Sequence, residues 1–439
     1  MGEHIMPRKA KKLQDMTDMF KEFDVNIVDT EDVSVLKELH LRMNEISDPR
    51  DTAYVIHELG DIIMITLLAV LSNANEWLEI EAFGKAHEKW LRRFLRLENG
   101  IPSDDTFRIT ISLLNTNYIY DIVIKFFMKK LDEIINLSKT TDCGSEITEE
   151  KEILSFDGKA SNGSARKETD KAGAKPLHTL NAYSSDYGIC IAQTFVNEKS
   201  NEITSMPEIL RRLDLRNTIA TWDALNTQKE IAQAVIAGKG DYVGALKGNH
   251  KNLYKDVKDY FETDVLAALR KRASNYVVTK EKEHSAMVTR EYFLEKDIKW
   301  LYGREDWAGL KAIGVEIKTI KKNNPNLPIV VEKRYFISST TDINEFSRAV
   351  RTHWGVENGL HWHLDFTFRD DKNTTMSKNG AKGLQVLKKI ALAILKMAQC
   401  LYPKRTSLKM IRFKLAMSFE NEIGSIFSMM NTANLMIAK

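Results

Sequence analysis

Two aspartates, Asp157 and Asp223, each follow a hydrophobic run that reads as a β-strand, Glu152–Phe156 and Thr218–Trp222. Each precedes a small residue, Gly158 or Ala224. A carboxylate just beyond a buried strand is held rigidly with its oxygens turned toward a cleft. That placement suits Mg2+, which takes oxygen ligands in near-octahedral geometry and keeps some of its waters. A strand-end aspartate taken alone serves equally well to cap a turn. Far along the chain, Arg351-Thr-His-Trp-Gly-Val-Glu-Asn-Gly-Leu-His-Trp-His363 spaces His353, Glu357 and His361 at i, i+4 and i+8. On a helix these share one face, either as coordinating groups or as a solvated stripe. Lys159 and Lys247, each near a strand end, read as phosphate contacts or as plain surface lysines.

The elements that would position these groups change character along the chain. Residues 1–145 read as helical: Val33, Leu36, Leu39 and Met43 recur at helical spacing, and Ile62–Leu71 is an apolar run suited to a buried helix. Ser103 or Asp104 offers an N-cap for a helix over 103–114, which either enters a DNA groove or simply packs. The polar stretch 138–150 reads as a linker. Over 150–251 strands at Glu152–Phe156, Leu177–Ala182 and Ile189–Phe195 come first, with a turn at Ser184–Gly188 between the last two. Strand, helix and strand follow at 218–246, which predicts an α/β fold with a mixed sheet and helices packed on it. Short strand-like runs over 252–340 read as a β-rich insertion. Residues 341–439 return to helix, through Phe346–Leu364 and Ala381–Leu401.

Composition excludes several classes. Three scattered cysteines offer neither a disulfide framework nor a thiolate metal site. No apolar run approaches the ~20 residues of a membrane span, and no secretory signal is visible, so a cytoplasmic protein is expected. No phosphate-binding G-x-x-x-x-G-K-[ST] loop occurs, which argues against ATP. Gly238–Gly244 follows a helix and precedes a strand, the reverse of a dinucleotide site. A formal charge of +3 implies nothing about nucleic acid by itself. The distribution says more: between Lys372 and Phe419 there are eleven Lys or Arg and no acid. Lysines such as Lys388 and Lys389 along that stretch would neutralise phosphates and release counterions, or form the wet face of a helix whose apolar side includes Leu384, Leu387, Ile390 and Ile394.

The stretches Phe156-Asp-Gly-Lys159, Asn197-Glu-Lys-Ser-Asn-Glu-Ile203, Ala245-Leu-Lys-Gly-Asn249, Tyr335-Phe-Ile-Ser-Ser339 and His353-Trp-Gly-Val-Glu-Asn358 resemble the H-repeat-associated family of insertion-sequence transposases. So do Asp48-Pro-Arg50, Phe83-Gly-Lys85 and Ile101-Pro-Ser-Asp-Asp-Thr-Phe107. The resemblance runs over roughly residues 45–400 with the motifs in the same order. It implies an RNase H-like core whose Asp-Asp-Glu triad falls on Asp157, Asp223 and Glu357. It also implies two Mg2+ or Mn2+ ions, and cutting and joining of double-stranded DNA at the element's terminal inverted repeats and at a target. A dimer assembled on DNA goes with that chemistry. Related families carry a Tyr and an Arg before the Glu and a Lys after it, where this chain has Val350, His353 and Leu364. Arg351 and His361 are then the candidates for the missing phosphate contacts. The same departure keeps open a DNA-binding protein without strand transfer, and a nuclease that cuts without joining.

Overall fold

The computed structural model describes residues 10–21, 31–139, 150–165, 176–196, 201–283, 286–324, 326–372, 375, 378–402 and 406–432. Most of the expected linker, and motif residues 197–200, lie outside them. Nine strands, β1 (Glu152–Ser161), β2 (Leu177–Ser184), β3 (Cys190–Phe195), β4 (Thr218–Trp222), β5 (Asp241–Leu246), β6 (Tyr276–Glu283), β7 (Ala286–Glu295), β8 (Ala312–Lys322) and β9 (Val330–Ser338), form one sheet among these residues. Its order is β3-β2-β1-β4-β5-β9-β8-β7-β6. β1 runs antiparallel to β2 and parallel to β4, and β4 is parallel to β5. This is the mixed RNase H-like sheet the sequence predicts, with the C-terminal ends of β1, β4 and β5 at one edge.

Two expectations change here. β1 does not stop at Phe156: its pairing with β4 ends at Phe156↔Trp222, but its pairing with β2 continues to Ser161↔Leu177. Asp157 therefore lies inside a strand, at the point where that strand loses one neighbour. The insertion is β-rich, yet it does not stand apart. Its last strand, β9, pairs antiparallel with β5 through Val243↔Ser338 to Leu246↔Tyr335, so β6–β9 extend the same sheet.

The N-terminal helices are α1 (Lys11–Lys21), α2 (Ser34–Asn44), α3 (Leu59–Leu71), α4 (Trp77–Leu91), α5 (Asp104–Leu113) and α6 (Thr116–Lys139). α3 is apolar almost all round, and every one of its residues is buried. Ser103 caps α5, its side chain accepting from the Thr106 amide at 3.3 Å. Between the strands lie α7 (Glu202–Arg211), α8 (Lys229–Ala237), α9 (Lys251–Phe261) and α10 (Val265–Leu269). They are followed by α11 (Ile343–His353), α12 (Trp362–Phe366), α13 (Lys378–Gln399), α14 (Leu408–Met417) and α15 (Phe419–Ser428). α7 packs on β2 and β3, and α11 packs against β1 and β4. α13 packs on α3, α5 and α6, so the N- and C-terminal helices share one hydrophobic core. The expected continuous helix Phe346–Leu364 is broken: a π-helical turn, Glu357–His361, separates α11 from α12.

Candidate active site

The site grows from the parallel register of β1 and β4. Phe156 and Trp222 are paired and buried, and the next residue on each strand is Asp157 or Asp223. Neighbouring strands are ~4.8 Å apart, so the two carboxylates spring from adjacent backbones. Asp157 accepts from its neighbour's amide, Gly158, at 2.9 Å. Asp223 is oriented by Asn226, whose backbone amide and side-chain NH2 both donate to Oδ1 at 3.1 Å. Glu357 comes from the other side of the chain, at the start of the π-turn. π-turns are rare and gather at functional positions. All three carboxylates line one cleft of about 520 Å³, together with Lys247, Arg334 and Trp354.

Without cations the cleft is overloaded with negative charge. Burial pushes the Asp157 carboxyl up to about 7, and the charges of Glu202, Asp223 and Glu357 push in the same direction. Asp223 is also raised, by burial and by Glu202, against the hydrogen bonds from Asn226. Glu357 is raised by burial and relieved by Arg334. No local pattern singles out Glu202. It opens α7 inside the Asn197–Ile203 motif, and its contact with the site arises only when that helix folds back over β1.

His353 and Glu357 line the same cleft, as their i, i+4 spacing predicts, whereas the π-turn Glu357–His361 changes the helical phase between Glu357 and His361. His353 Nδ1 meets Thr221 Oγ1 at 3.0 Å, and both residues line the cleft that holds the triad. His361 lies on the flank of Asp157, Nδ1 to Oδ2 3.6 Å, with Asn181 3.4 Å from its Nε2. Burial lowers His353 to about 4 and, with the charges of Lys159 and Lys389 added, His361 to about 3. Both are neutral imidazoles at physiological pH, suited to propping carboxylate strands and unsuited to binding phosphate by charge.

Among the described residues, the trio of His, Cys, Asp or Glu whose ligand atoms all lie within 4.8 Å is elsewhere: His40, Glu58 and Asp61. Each already has a protein partner. His40 bonds Asp61 at 2.8 Å, the Leu97 amide donates to the other Asp61 oxygen, and Arg96 pairs with Glu58 at 3.0 Å. That group ties α2 to α3 and to the chain after α4.

With this geometry in place, the comparisons decide the family. Residues 148–394 match the model of the "Transposase DDE domain", and residues 41–127 match a model described as "DDE_Tnp_1-associated". The chain is 33% identical over 353 residues to the "Putative transposase YncI" of Escherichia coli O157:H7, covering 80% of this chain and 85% of that protein. It is 31% identical over 366 residues to the "H repeat-associated putative transposase YhhI" of Escherichia coli strain K12, covering 82% and 90%. The chain belongs to the DDE transposase family.

The cations of this family member fall into two sets. Lys247, exposed at the end of β5, faces the cleft. One register step beyond the Leu246↔Tyr335 pair, Arg334 of β9 also lines it, 4.6 Å over the Trp354 ring. No motif or spacing marks Arg334, because only the joining of β9 to β5 brings it there. The other candidates are buried or already paired with an acid. Lys159 is buried against Asp365 at 2.6 Å, and Arg351 is held by Glu281 at 2.8 Å. Lys388 and Lys389 are each 1% exposed, and Lys396 is buried with them. Lys389 donates to Asn181 at 2.6 Å and to Gln193 at 2.5 Å, and Lys388 lies 4.0 Å from Asp370. The expectation that Lys388 and Lys389 track a DNA backbone is therefore corrected. Over its buried stretch α13 runs between the sheet and the N-terminal helices, so Lys388, Lys389 and Lys396 face polar groups inside. Helix α5 also packs, burying Phe107, Thr110 and Ile111.

Proposed function

We propose that this transposase cuts and joins double-stranded DNA at the ends of its own element, with divalent metal ions held by Asp157, Asp223 and Glu357. The observation that carries the reading is the convergence of two carboxylates from adjacent strands, just past the Phe156↔Trp222 pair, and one helical carboxylate on a single cleft. Family membership supports it. The donor set fits the ions: all-oxygen ligands suit Mg2+ or Mn2+, and a cleft that lifts Asp157 to about 7 is one that cations would relieve. Two such ions, when bound, would stabilise the attacking and leaving oxygens of an in-line displacement at phosphorus. The protein's own groups do the rest. Asn226 fixes the direction of Asp223, neutral His361 flanks Asp157, and the Thr221–His353 contact holds β4 to the end of α11. Lys247 and Arg334 supply positive charge for phosphate oxygens, the work that the expected Arg and Lys around the glutamate would otherwise do. Assembly as a dimer on paired terminal repeats, in the cytoplasm and without ATP, belongs to the same reading. Among the described residues no helix is long and apolar enough to cross a membrane.

A second reading, a nuclease or DNA-binding protein of this fold that does not join ends, is favoured by His353 and Leu364, which stand where related families carry the Arg and Lys that touch DNA phosphates: His353 is neutral and Leu364 is buried in apolar core. Purified protein, Mg2+ and DNA carrying both element ends separate the readings. Cut and joined products are expected; cut products alone mean a nuclease, and binding alone means an inactive relative.

A further inference from the structure

Glu202 belongs to none of the three triad positions, and its setting is unlike that of a surface acid. Its side chain is only 12% exposed. An acid at the first residue of a helix ordinarily favours the positive end of the helix dipole, but α7 is already capped by Asn201, which accepts from the Thr204 amide at 3.1 Å. Glu202 turns back over β1 instead. A Cβ built on Gly158 would come 2.0 Å from Glu202 Oε1, so the carboxylate lies on the backbone of the residue after Asp157, in space that only a glycine leaves open.

It is also tied to the second aspartate. The Asn226 NH2 group donates to Glu202 Oε2 at 2.8 Å and to Asp223 Oδ1 at 3.1 Å, one nitrogen serving two carboxylates. The other Glu202 oxygen meets His178 Nε2 at 2.9 Å. Fixing a ligand's orientation by such outer partners is how metal sites are built. Asn226 is fully buried, and its Oδ1 has no hydrogen-bond partner among the described residues.

We propose that Glu202 is a fourth carboxylate of the metal site, acting on its Asp157–Asp223 side and set in place by His178 and Asn226. The inference rests on the metal-site reading above, and its test keeps the two apart. Mn2+ binding to the full chain, without DNA, is followed by the electron paramagnetic resonance of the free ion for wild type, Asp157→Asn, Glu202→Gln and Glu202→Asp. Thermal melts in chelator run alongside to report folding. Glu202→Gln should melt as a folded protein and bind Mn2+ about 10- to 100-fold more weakly. Wild-type affinity in Glu202→Gln, with affinity lost in Asp157→Asn, overturns the inference and leaves the metal site standing. No Mn2+ bound by wild type overturns both. Glu202→Asp keeps the charge and withdraws it by one methylene, so it carries the test if the glutamine variant misfolds: weakened binding supports the role, and wild-type affinity contradicts it.

Discussion

Two regions of this molecule are dense in charge, and they solve opposite problems. At the C-terminal edge of β1, β4 and β5, carboxylates crowd a cleft in which their charges work against one another. Under α13, lysines are sealed inside, each led to a polar partner: Lys389 to Asn181 and Gln193, Lys396 to the Gly188 carbonyl. Burial lowers Lys389 to about 8 and Lys396 to about 7, just as it raises Asp157. The first region leaves its charge unbalanced for something to bind. The second solvates its charge with internal amide and carbonyl oxygens and ties the sheet to the helices. The two meet at Asn181, which takes the Lys389 ammonium on its oxygen and lies against His361 and the Asp157 carbonyl with its nitrogen.

Variants should separate the regions by what they break. Asp223→Asn or Glu357→Gln should reduce DNA cleavage to background while the protein melts as a folded one; cleavage that survives either change removes that residue from the triad. Lys389→Glu should act on folding. A reversed charge facing two buried amide oxygens costs on the order of 3–5 kcal/mol, read as a lower midpoint in denaturant, with DNA affinity falling only as far as the folded fraction does. A stable Lys389→Glu protein with weakened DNA binding would restore that lysine to the DNA surface.

Asp157 offers a subtler contrast. Its carboxyl is raised from 3.8 to about 7, so between those values the unfolded chain ionises while the folded one keeps its proton. Stability is lost as pH rises through that window, and above it the folded state carries a penalty of up to roughly 4 kcal/mol. In chelator, Asp157→Asn should therefore melt above wild type when the pH exceeds about 7. The gap should close as pH falls toward 3.8; a gap that does not change with pH would contradict the electrostatic cause.

The smallest effect expected distinguishes cations that face the cleft from those that do not. Arg334→Ala and Lys247→Ala should each weaken binding to any DNA sequence and lower the log–log salt slope by about 0.9 for each phosphate no longer neutralised. Arg351→Ala should leave the slope unchanged, since its guanidinium is occupied by Glu281. Equal slopes for all three would erase the distinction.

What is legible in the sequence follows the same division. Strands bounded by turn residues reveal β1 to β5, and a carboxylate after a buried run marks Asp157 and Asp223 because that rule needs only local pattern. The spacing pairs Glu357 with His353, and both line the cleft; it does not give the geometry of His361, because the i, i+4 count assumes an unbroken α-helix and Glu357–His361 is a π-turn. Arg334 reaches the cleft, and Glu202 the backbone beside Asp157, through long-range docking, of β9 beside β5 and of α7 over Gly158, which no local period records. The lysine-rich stretch misleads because an amphipathic pattern shows one apolar face and does not reveal that a second layer covers the other.

The most direct test of the central claim is where a divalent ion sits. Fe2+ bound in place of Mg2+, with ascorbate and peroxide, generates hydroxyl radicals that cut the polypeptide near the ion, and the fragments can be mapped by mass spectrometry. A metal site at the triad predicts cuts around Asp157, Asp223 and Glu357 that excess Mg2+ suppresses. Cuts gathered instead around His40, Glu58 and Asp61, or none that Mg2+ suppresses, would contradict it.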